Sequence, residues 1–253
     1  MTRTFKKIFY GIFYLLIFSG IIFLIYSLYF KPAPSCFDGI QDNGEQGIDC
    51  GGPCAKVCTP SDMQPISIIG DVQTFVTSQN YVTFLAKISN PNKDFAAKSF
   101  DYSFNIYDAS GSQIQSFSGS SFIYGGEVKY LLVPNQEVPS STSKVMLVVS
   151  NPQWAKSSDY GSIPKFVLNG IQTSIISQGV IGVNGSITND DISTFSKIVI
   201  IAILNDSNGN AVGSSETEVD NLPANQTANF SIIYPAVQNV DFSSTKVYAY
   251  GEK

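Results

Sequence analysis

The apolar residues of this chain follow two patterns, a continuous run near the N-terminus and an alternating pattern over the rest. Residues 8–30 read IFYGIFYLLIFSGIIFLIYSLYF, without a single charge. At about 1.5 Å per residue, a helix of this length spans the ~30 Å hydrocarbon core of a bilayer. The run therefore predicts one transmembrane helix at 8–30, preceded by a short N-terminal segment, 1–7.

From residue 66 onward the apolar pattern has a period of two, which is typical of β-strands with one buried face. Residues 100–106 alternate large apolar and polar side chains, and turn sequences such as DASG (108–111) and NDSNG (205–209) separate the strands. Residues 198–204, IVIIAIL, are apolar at every position. This run predicts a central strand that is covered on both faces.

The strand pattern occurs twice at a nearly constant offset, which indicates a duplicated domain. Asn90 aligns with Asn189, and the matching stretches are 66–91 with 166–190, 100–111 with 198–209, and 131–134 with 232–235. We therefore predict an all-β fold class with two tandem immunoglobulin-like antiparallel β-sandwiches, 66–150 and 165–253. The connection 151–164 contains the only tryptophan, Trp154, which we expect to fill the contact between the domains; the alternative is an exposed anchor for a partner.

Basic residues flank the apolar run unequally and predict its orientation. Arg3, Lys6 and Lys7 precede it, and only Lys31 follows it closely. By the positive-inside rule the N-terminus is cytoplasmic and residues 31–253 lie outside the cytoplasm. The alternative is a cleaved signal peptide, whose apolar region is usually about 7–15 residues long. We expect a single-pass protein of the cell membrane.

All four cysteines lie in one acidic segment, 31–58, which a linker at 59–65 follows. Export to an oxidising compartment favours two disulfides, and four cysteines allow three pairings, which stay open. The alternative is a zinc site, although the spacing lacks the CxxC pairs of zinc ribbons. The residues concerned are Cys36, Cys50, Cys54 and Cys58.

Oxygen-bearing side chains and glycines alternate between these cysteines, and hard cations such as calcium prefer oxygen ligands on flexible loops. The spacing differs from that of an EF-hand, so the other interpretation is a solvated acidic loop held by disulfides. The candidate calcium ligands are Asp38, Asp42, Asn43, Glu45 and Asp49.

Composition excludes several classes of function. Residues 31–253 carry 12 basic and 20 acidic residues, a net charge of −8, which argues against nucleic-acid partners. The chain has no histidine, so no histidine-dependent triad can form. Ser141 and Ser243 each precede a lysine at a Ser-x-x-Lys spacing, but both stand at the same place in the repeat, ahead of an apolar strand. We predict no catalytic residues.

Sequons for N-glycosylation occur only in the second copy, at Asn184, Asn205, Asn225 and Asn229.

Two short motifs carry resemblances to known families. CFDGIQDNGEQGIDCGGPC (36–54) resembles a cysteine motif of secreted and surface proteins, which implies surface exposure. FNIYD (104–108) resembles the motif of FxLYD domains, which are sandwich modules of bacterial and archaeal envelope proteins. In the second copy, residues 201–205 are expected to match this motif, with the Phe, Tyr and Asp lost.

Taken together, these features predict a membrane-anchored, non-catalytic binding or structural module of the cell envelope. The expected partners are the membrane itself and an envelope protein or surface glycan. The alternatives are an accessory subunit of a larger membrane assembly and, third, an enzyme.

Overall fold

The computed structural model describes residues 3–27, 35–42, 44–60, 62–177, 179–235 and 237–252. The chain divides into two compact units, Met1–Cys58 and Thr59–Lys253. The first contains one long helix and the cysteine-rich segment. Among the described residues, the second contains twelve β-strands and one short helix.

Helix α1 spans Arg3–Ile25. Within it, the stretch Phe5–Ile25 contains an 18-residue window with a mean hydropathy of 2.5, and no residue of that window is buried. At about 1.5 Å per residue this stretch is roughly 30 Å long, enough to cross a bilayer, and a signal sequence would share these properties. The last three residues of the predicted span, 28–30, lie outside the described residues.

The cysteine-rich segment is closed by two disulfides, which decides between the three pairings that the sequence allowed. Cys36 pairs with Cys54 and Cys50 pairs with Cys58. Both bridges stay within the segment, so they confine a short, glycine-rich loop that has almost no regular secondary structure of its own. The zinc alternative is wrong, because a cysteine in a disulfide offers no thiolate to a metal.

The second unit is all-β. The first copy of the repeat contains β1 (Ser67–Ser78), β2 (Tyr81–Ser89), β3 (Phe95–Tyr107), β4 (Gln113–Ile123), β5 (Val128–Glu137) and β6 (Lys144–Lys156). Helix α2 (Ser157–Tyr160) follows. The second copy contains β7 (Phe166–Ser177), β8 (Val180–Asn189), β9 (Phe195–Asn205), β10 (Ala211–Leu222), β11 (Thr227–Pro235) and β12 (Asp241–Glu252). Strand β6 thus runs into the segment that the sequence analysis assigned to the linker.

Each copy is a sandwich of two three-stranded antiparallel sheets, and the strand order is the same in both. Copy one has sheets β1-β2-β5 and β4-β3-β6, and copy two has β7-β8-β11 and β10-β9-β12. The predicted fold class is confirmed. One core fills each sandwich: Phe84, Phe100 and Phe104 are central to the first, and Val183, Ile198 and Phe230 to the second.

Asn90 and Asn189 close the same corner in the two copies. Both side chains are fully buried. The Asn90 amide donates to the carbonyls of Phe95 and Tyr124, and the Asn189 amide donates to those of Ser193 and Leu222. Each asparagine therefore binds two backbone carbonyls at this corner, which satisfies its own buried amide group.

Asp108 of the FNIYD motif organises the turn between β3 and β4. Its Oδ1 accepts hydrogen bonds from the backbone N–H groups of Ser110 and Ser112. In copy two, Asp206 does the same for Asn208 and Asn210. The equivalent of FNIYD in copy two is therefore 202–206, one residue later than the sequence analysis placed it. The aspartate is retained, and the expectation that it was lost is wrong.

Candidate functional site

The two copies pack against each other through a third apolar cluster, which lies outside both sandwich cores. The outer face of sheet β1-β2-β5 contributes Phe75, Leu85 and Leu132, and the outer face of β10-β9-β12 contributes Ile201, Ile203 and Tyr250. Strand β9 therefore has one apolar side in the core of copy two and the other in this cluster. The sequence prediction that 198–204 is covered on both faces is confirmed.

Trp154 does not belong to this cluster. It lies on β6, where it is the register partner of Ala97, and its side chain packs against the core of copy one. The contact that the sequence analysis assigned to Trp154 is made by alternating residues of β2, β5 and β9 instead. Aligned strands supply such a face over their whole length, so no single large side chain is needed to fill it.

Tyrosines connect the copies by polar contacts at the edge of this cluster. The backbone N–H of Tyr130 donates to the hydroxyl oxygen of Tyr250 over 3.1 Å. The hydroxyl of Tyr124 donates to the carbonyl of Gly251 over 3.1 Å. The rings of Tyr130 and Tyr248 lie 4.8 Å apart, centroid to centroid. Burial raises the pKa of the Tyr250 hydroxyl, so it stays protonated at neutral pH.

Lys129 is a buried cation beside these tyrosines. Its side chain is 5% exposed, and Nζ donates to the carbonyl of Phe122 and lies 3.4 Å from the centroid of the Phe122 ring. Loss of hydration lowers the pKa of Lys129 to about 8, and the nearby carboxylates of Glu127 and Glu252 oppose this shift. Glu127 is itself buried, and burial raises the pKa of its carboxyl group.

Two clefts flank the contact between the copies. The smaller, about 340 Å³, is lined by Lys129, Tyr102 and Glu216 among others. Burial, followed by repulsion from Glu218, raises the pKa of Glu216 to about 7. This cleft therefore combines a lysine and a carboxyl group that both change charge close to neutral pH.

The larger cleft has a volume of about 930 Å³ and lies between β1-β2 and β9-β10-β12. Its wall is amphipathic, with amide and amine groups around the aromatic rings of Phe75 and Tyr130. The amine of Lys87 lies 5.7 Å from the centroid of the Tyr130 ring. Such a surface suits a ligand with hydrogen-bonding groups and an apolar face. Polar residues that line it include Asp71, Gln73, Lys87, Asn205, Asn210 and Lys246.

The predicted calcium ligands lie in the cysteine-rich segment, and their carboxylates serve the backbone of that loop. Asp49 accepts from the N–H groups of residues 38 and 39, and Asp38 accepts from those of 35 and 40. Glu45, which is 8% exposed, accepts from the N–H groups of 42 and 49. Asn43 lies outside the described residues.

These hydrogen bonds leave little for an ion. Calcium takes six to eight oxygen ligands. In the part of this segment that the structure describes, Oδ1 of Asp42 is a buried carboxylate oxygen that accepts no hydrogen bond. The sulfurs of Cys36 and Cys54 lie beside a carboxylate oxygen of Glu45, but they form a disulfide with each other. Nothing in the described part of the segment points to calcium.

The serines considered as nucleophiles are exposed turn or strand residues. Ser243 Oγ donates to Oδ1 of Asp241 over 2.7 Å, which closes a local turn. Ser141 lies in the turn before β6.

Sequence reasoning missed Lys129, Tyr130 and Tyr250. The signal was present, since consecutive apolar residues at 84–86 and 131–132 predict a strand with two covered faces.

No family model matches the chain, and no curated protein matches it. Among solved structures 44 chains match. One of them is the transglutaminase of red sea bream, at 8% sequence identity and a TM-score of 0.21. The alignment covers 72% of this chain and 31% of the transglutaminase, so the chain corresponds to less than a third of that enzyme's length. A likeness this weak carries no argument about activity.

Proposed function

We propose that this protein is a single-pass membrane protein whose two joined sandwiches act outside the cytoplasm as a non-catalytic binding or structural module of the cell envelope. Helix α1 supplies the anchor, and the excess of basic residues before it supports a cytoplasmic N-terminus. Two disulfides fit an oxidising compartment. The acidic composition after residue 30 fits a soluble exterior domain.

The observation that carries the binding role is the third apolar cluster. Because this cluster and the Tyr130–Tyr250 hydrogen bond hold the copies together, the 930 Å³ cleft between them has a defined shape. A preformed cleft binds a ligand without first having to order two domains, which lowers the entropic cost of binding. The polar and aromatic wall favours an envelope protein segment or a surface glycan as partner.

The resemblance of FNIYD to the FxLYD motif supports the same role. Phe104 and Ile106 are fully buried in the core of copy one, and Asp108 shapes the adjoining turn. In this arrangement the motif stabilises the sandwich and contributes no reactive group. Calcium is not part of the proposal, because the carboxylates of the cysteine-rich segment already hold backbone amides.

Photo-crosslinking in intact membranes tests the binding role. A photo-crosslinking amino acid is placed at Gln238, which lines the large cleft, and in a separate protein at Ile192, which is 95% exposed and lies between β8 and β9. We expect a specific adduct from position 238 and none from position 192. Equal labelling from both positions, or none from position 238, would contradict the proposal.

The second candidate, an accessory subunit of a membrane assembly, is favoured if the adduct at position 238 is one protein in fixed stoichiometry with this chain. A heterogeneous glycan adduct favours adhesion. Turnover of a peptide, ester or glycan by the purified ectodomain (residues 31–253 in the proposed topology), lost on Ser141→Ala or Ser243→Ala, would show that the protein is an enzyme.

A further inference from the structure

The structure separates the four N-glycosylation sequons into one buried and three exposed sites. Asn205 is 3% exposed, and its amide nitrogen donates to the carbonyl of Ser244 over 2.7 Å. The side chains of Asn184, Asn225 and Asn229 are exposed. A glycan is large and hydrophilic, so the folded protein can carry one at these three positions and not at Asn205.

Two of the exposed sequons lie side by side on adjacent strands. In the β8–β11 register Asn184 is directly opposite Ser231, and Asn229 is directly opposite Ser186. The hydroxyl residue of each sequon is therefore the cross-strand partner of the other sequon's asparagine. These side chains point outward, because their neighbours Val183, Phe230 and Ile232 fill the core.

The same face of copy one is the face that packs against copy two. Leu85 and Leu132 are a register pair in copy one, and Asn184 and Ser231 form the equivalent pair in copy two. The pairs Lys87 with Tyr130 and Ser186 with Asn229 correspond in the same way. Leu85, Leu132 and Tyr130, which take part in the apolar contact in copy one, thus correspond to residues of the two sequons in copy two.

The face in copy two is open and shallow around the asparagines. A hollow of about 550 Å³ is lined by Asn184, Asn229, their two sequon serines and small or polar neighbours from β7, including Gly170. Asn225 lies in the adjoining turn between β10 and β11. A sugar attached at this surface meets no large outward-pointing side chain among the lining residues.

We propose that Asn184, Asn225 and Asn229 are N-glycosylation sites and that their glycans cover the outer face of sheet β7-β8-β11. The proposal rests on the export of the ectodomain given under the proposed function. An oligosaccharyltransferase uses a polyprenyl-phosphate-linked oligosaccharide as co-substrate. The amide Nδ2 forms a bond to the anomeric carbon, the bond from that carbon to the phosphate oxygen breaks, the phosphate leaves with the electron pair, and Nδ2 loses one proton.

Glycans at this face also limit assembly. The contact between the copies is heterologous, since sheet β1-β2-β5 of one meets sheet β10-β9-β12 of the other. The outer faces of sheets β7-β8-β11 and β4-β3-β6 are left open. In the repeat they correspond to the contacting faces of β1-β2-β5 and β10-β9-β12, respectively. A heterologous contact that does not close can extend into a filament. A glycan at Asn184, the position equivalent to Leu85, prevents a further copy from packing in the same way.

Site-resolved mass spectrometry of protein purified from its native membranes tests this inference. We expect glycopeptides that carry sugar at Asn184, Asn225 and Asn229, and an unmodified peptide at Asn205. Ser186→Ala, Thr227→Ala and Ser231→Ala should each remove the glycan from one site while leaving the asparagine in place. Thr227→Ser keeps the sequon and should keep the glycan, and Ser207→Ala, which removes the Asn205 sequon, should change nothing.

The outcomes separate this inference from the proposed function. Unmodified peptides at all three exposed sites, in protein whose ectodomain is accessible to external protease and whose disulfides are formed, would overturn the glycosylation proposal alone. A glycan at Asn205 would overturn the inference that burial keeps this sequon unmodified. A protected ectodomain with free thiols would overturn the topology and the glycosylation proposal together.

Discussion

The backbone N–H of Tyr130 in copy one donates a hydrogen bond to the hydroxyl oxygen of Tyr250 in copy two, over 3.1 Å. The two residues are 120 positions apart in the sequence and stand beside the apolar cluster that joins the sandwiches. Tyr250 is 7% exposed, so its hydroxyl has little access to water as an alternative partner. This bond makes the relative position of the copies specific, whereas apolar packing alone is less directional.

Removal of that hydroxyl should therefore destabilise the ectodomain without changing its cores. Tyr250→Phe keeps the ring and leaves the Tyr130 N–H without its acceptor, which costs about 1–3 kcal/mol for a buried group. Urea unfolding of the purified ectodomain measures this change. An unfolding free energy equal to that of the wild type would show that the hydrogen bond does not hold the copies together.

Leu85 provides a test of the apolar part of the contact. It is 1% exposed, and Leu85→Ala should lower the unfolding free energy by about 2–5 kcal/mol, as for other buried leucines. Ile233 lies on the outer face of copy two and is 63% exposed, so Ile233→Ala should change it by no more than about 0.5 kcal/mol. Similar effects of the two substitutions would contradict the assignment of the cluster as a core.

Stability should depend on pH in two opposite ways, through the half-buried carboxyl group of Glu216 and the buried amine of Lys129. The folded-state pKa of Glu216 is raised from 4.5 to about 7, so the folded state retains a proton that the unfolded state releases. Stability therefore falls as pH rises from about 4.5 to 7. The folded-state pKa of Lys129 is lowered from 10.5 to about 8, so above pH 8 the unfolded state binds more protons and stability rises with pH.

Substitution separates the two effects. Glu216→Gln should reduce the fall between pH 4.5 and 7, to which Glu127 also contributes because burial raises the pKa of its carboxyl group. Lys129→Met should remove the rise between pH 8 and 10. Unfolding free energies at a series of pH values measure both. If the unfolding free energy of Lys129→Met still rises between pH 8 and 10, another group causes that rise.

Asp49 allows the role of the acidic loop to be tested. Both of its carboxylate oxygens accept backbone N–H groups, and its φ of 52° lies in the left-handed region, which asparagine tolerates well. We expect Asp49→Ala to speed amide exchange at residues 38 and 39, and Asp49→Asn to do so less. Millimolar calcium should leave the wild-type exchange unchanged, and slower exchange with calcium would support the ion-binding interpretation.

The sequence predicted those parts of the fold that depend on local pattern. Alternation in 100–106 and the apolar run in 198–204 predicted strands and their covered faces, and Asn90 and Asn189 marked the repeat. The contact between the copies was harder to predict, because it depends on which outer faces meet. From the sequence alone, Leu85 cannot be distinguished from other residues of a buried strand. The structure places it in one cluster with Ile201 and Ile203 of copy two.

The errors have physical causes. Trp154 was assigned to the contact because a lone large side chain is often an interface anchor, but its strand position directs it to the core of copy one. The copy-two equivalent of FNIYD was displaced by one residue because 201–204 contain no polar side chain to mark the register, although the alignment of 100–111 with 198–209 puts 104–108 opposite 202–206. The turn hydrogen bonds of Asp108 and Asp206 supply that marker.

Protease accessibility in intact cells or spheroplasts measures whether the sandwiches are displayed outside the cytoplasm on a single anchor. A tag at Met1 and a second tag after Lys253 report the two ends. Added protease should digest the ectodomain and its C-terminal tag, while the Met1 tag stays protected until the membrane is permeabilised. A C-terminal tag that is protected in intact spheroplasts would contradict this topology.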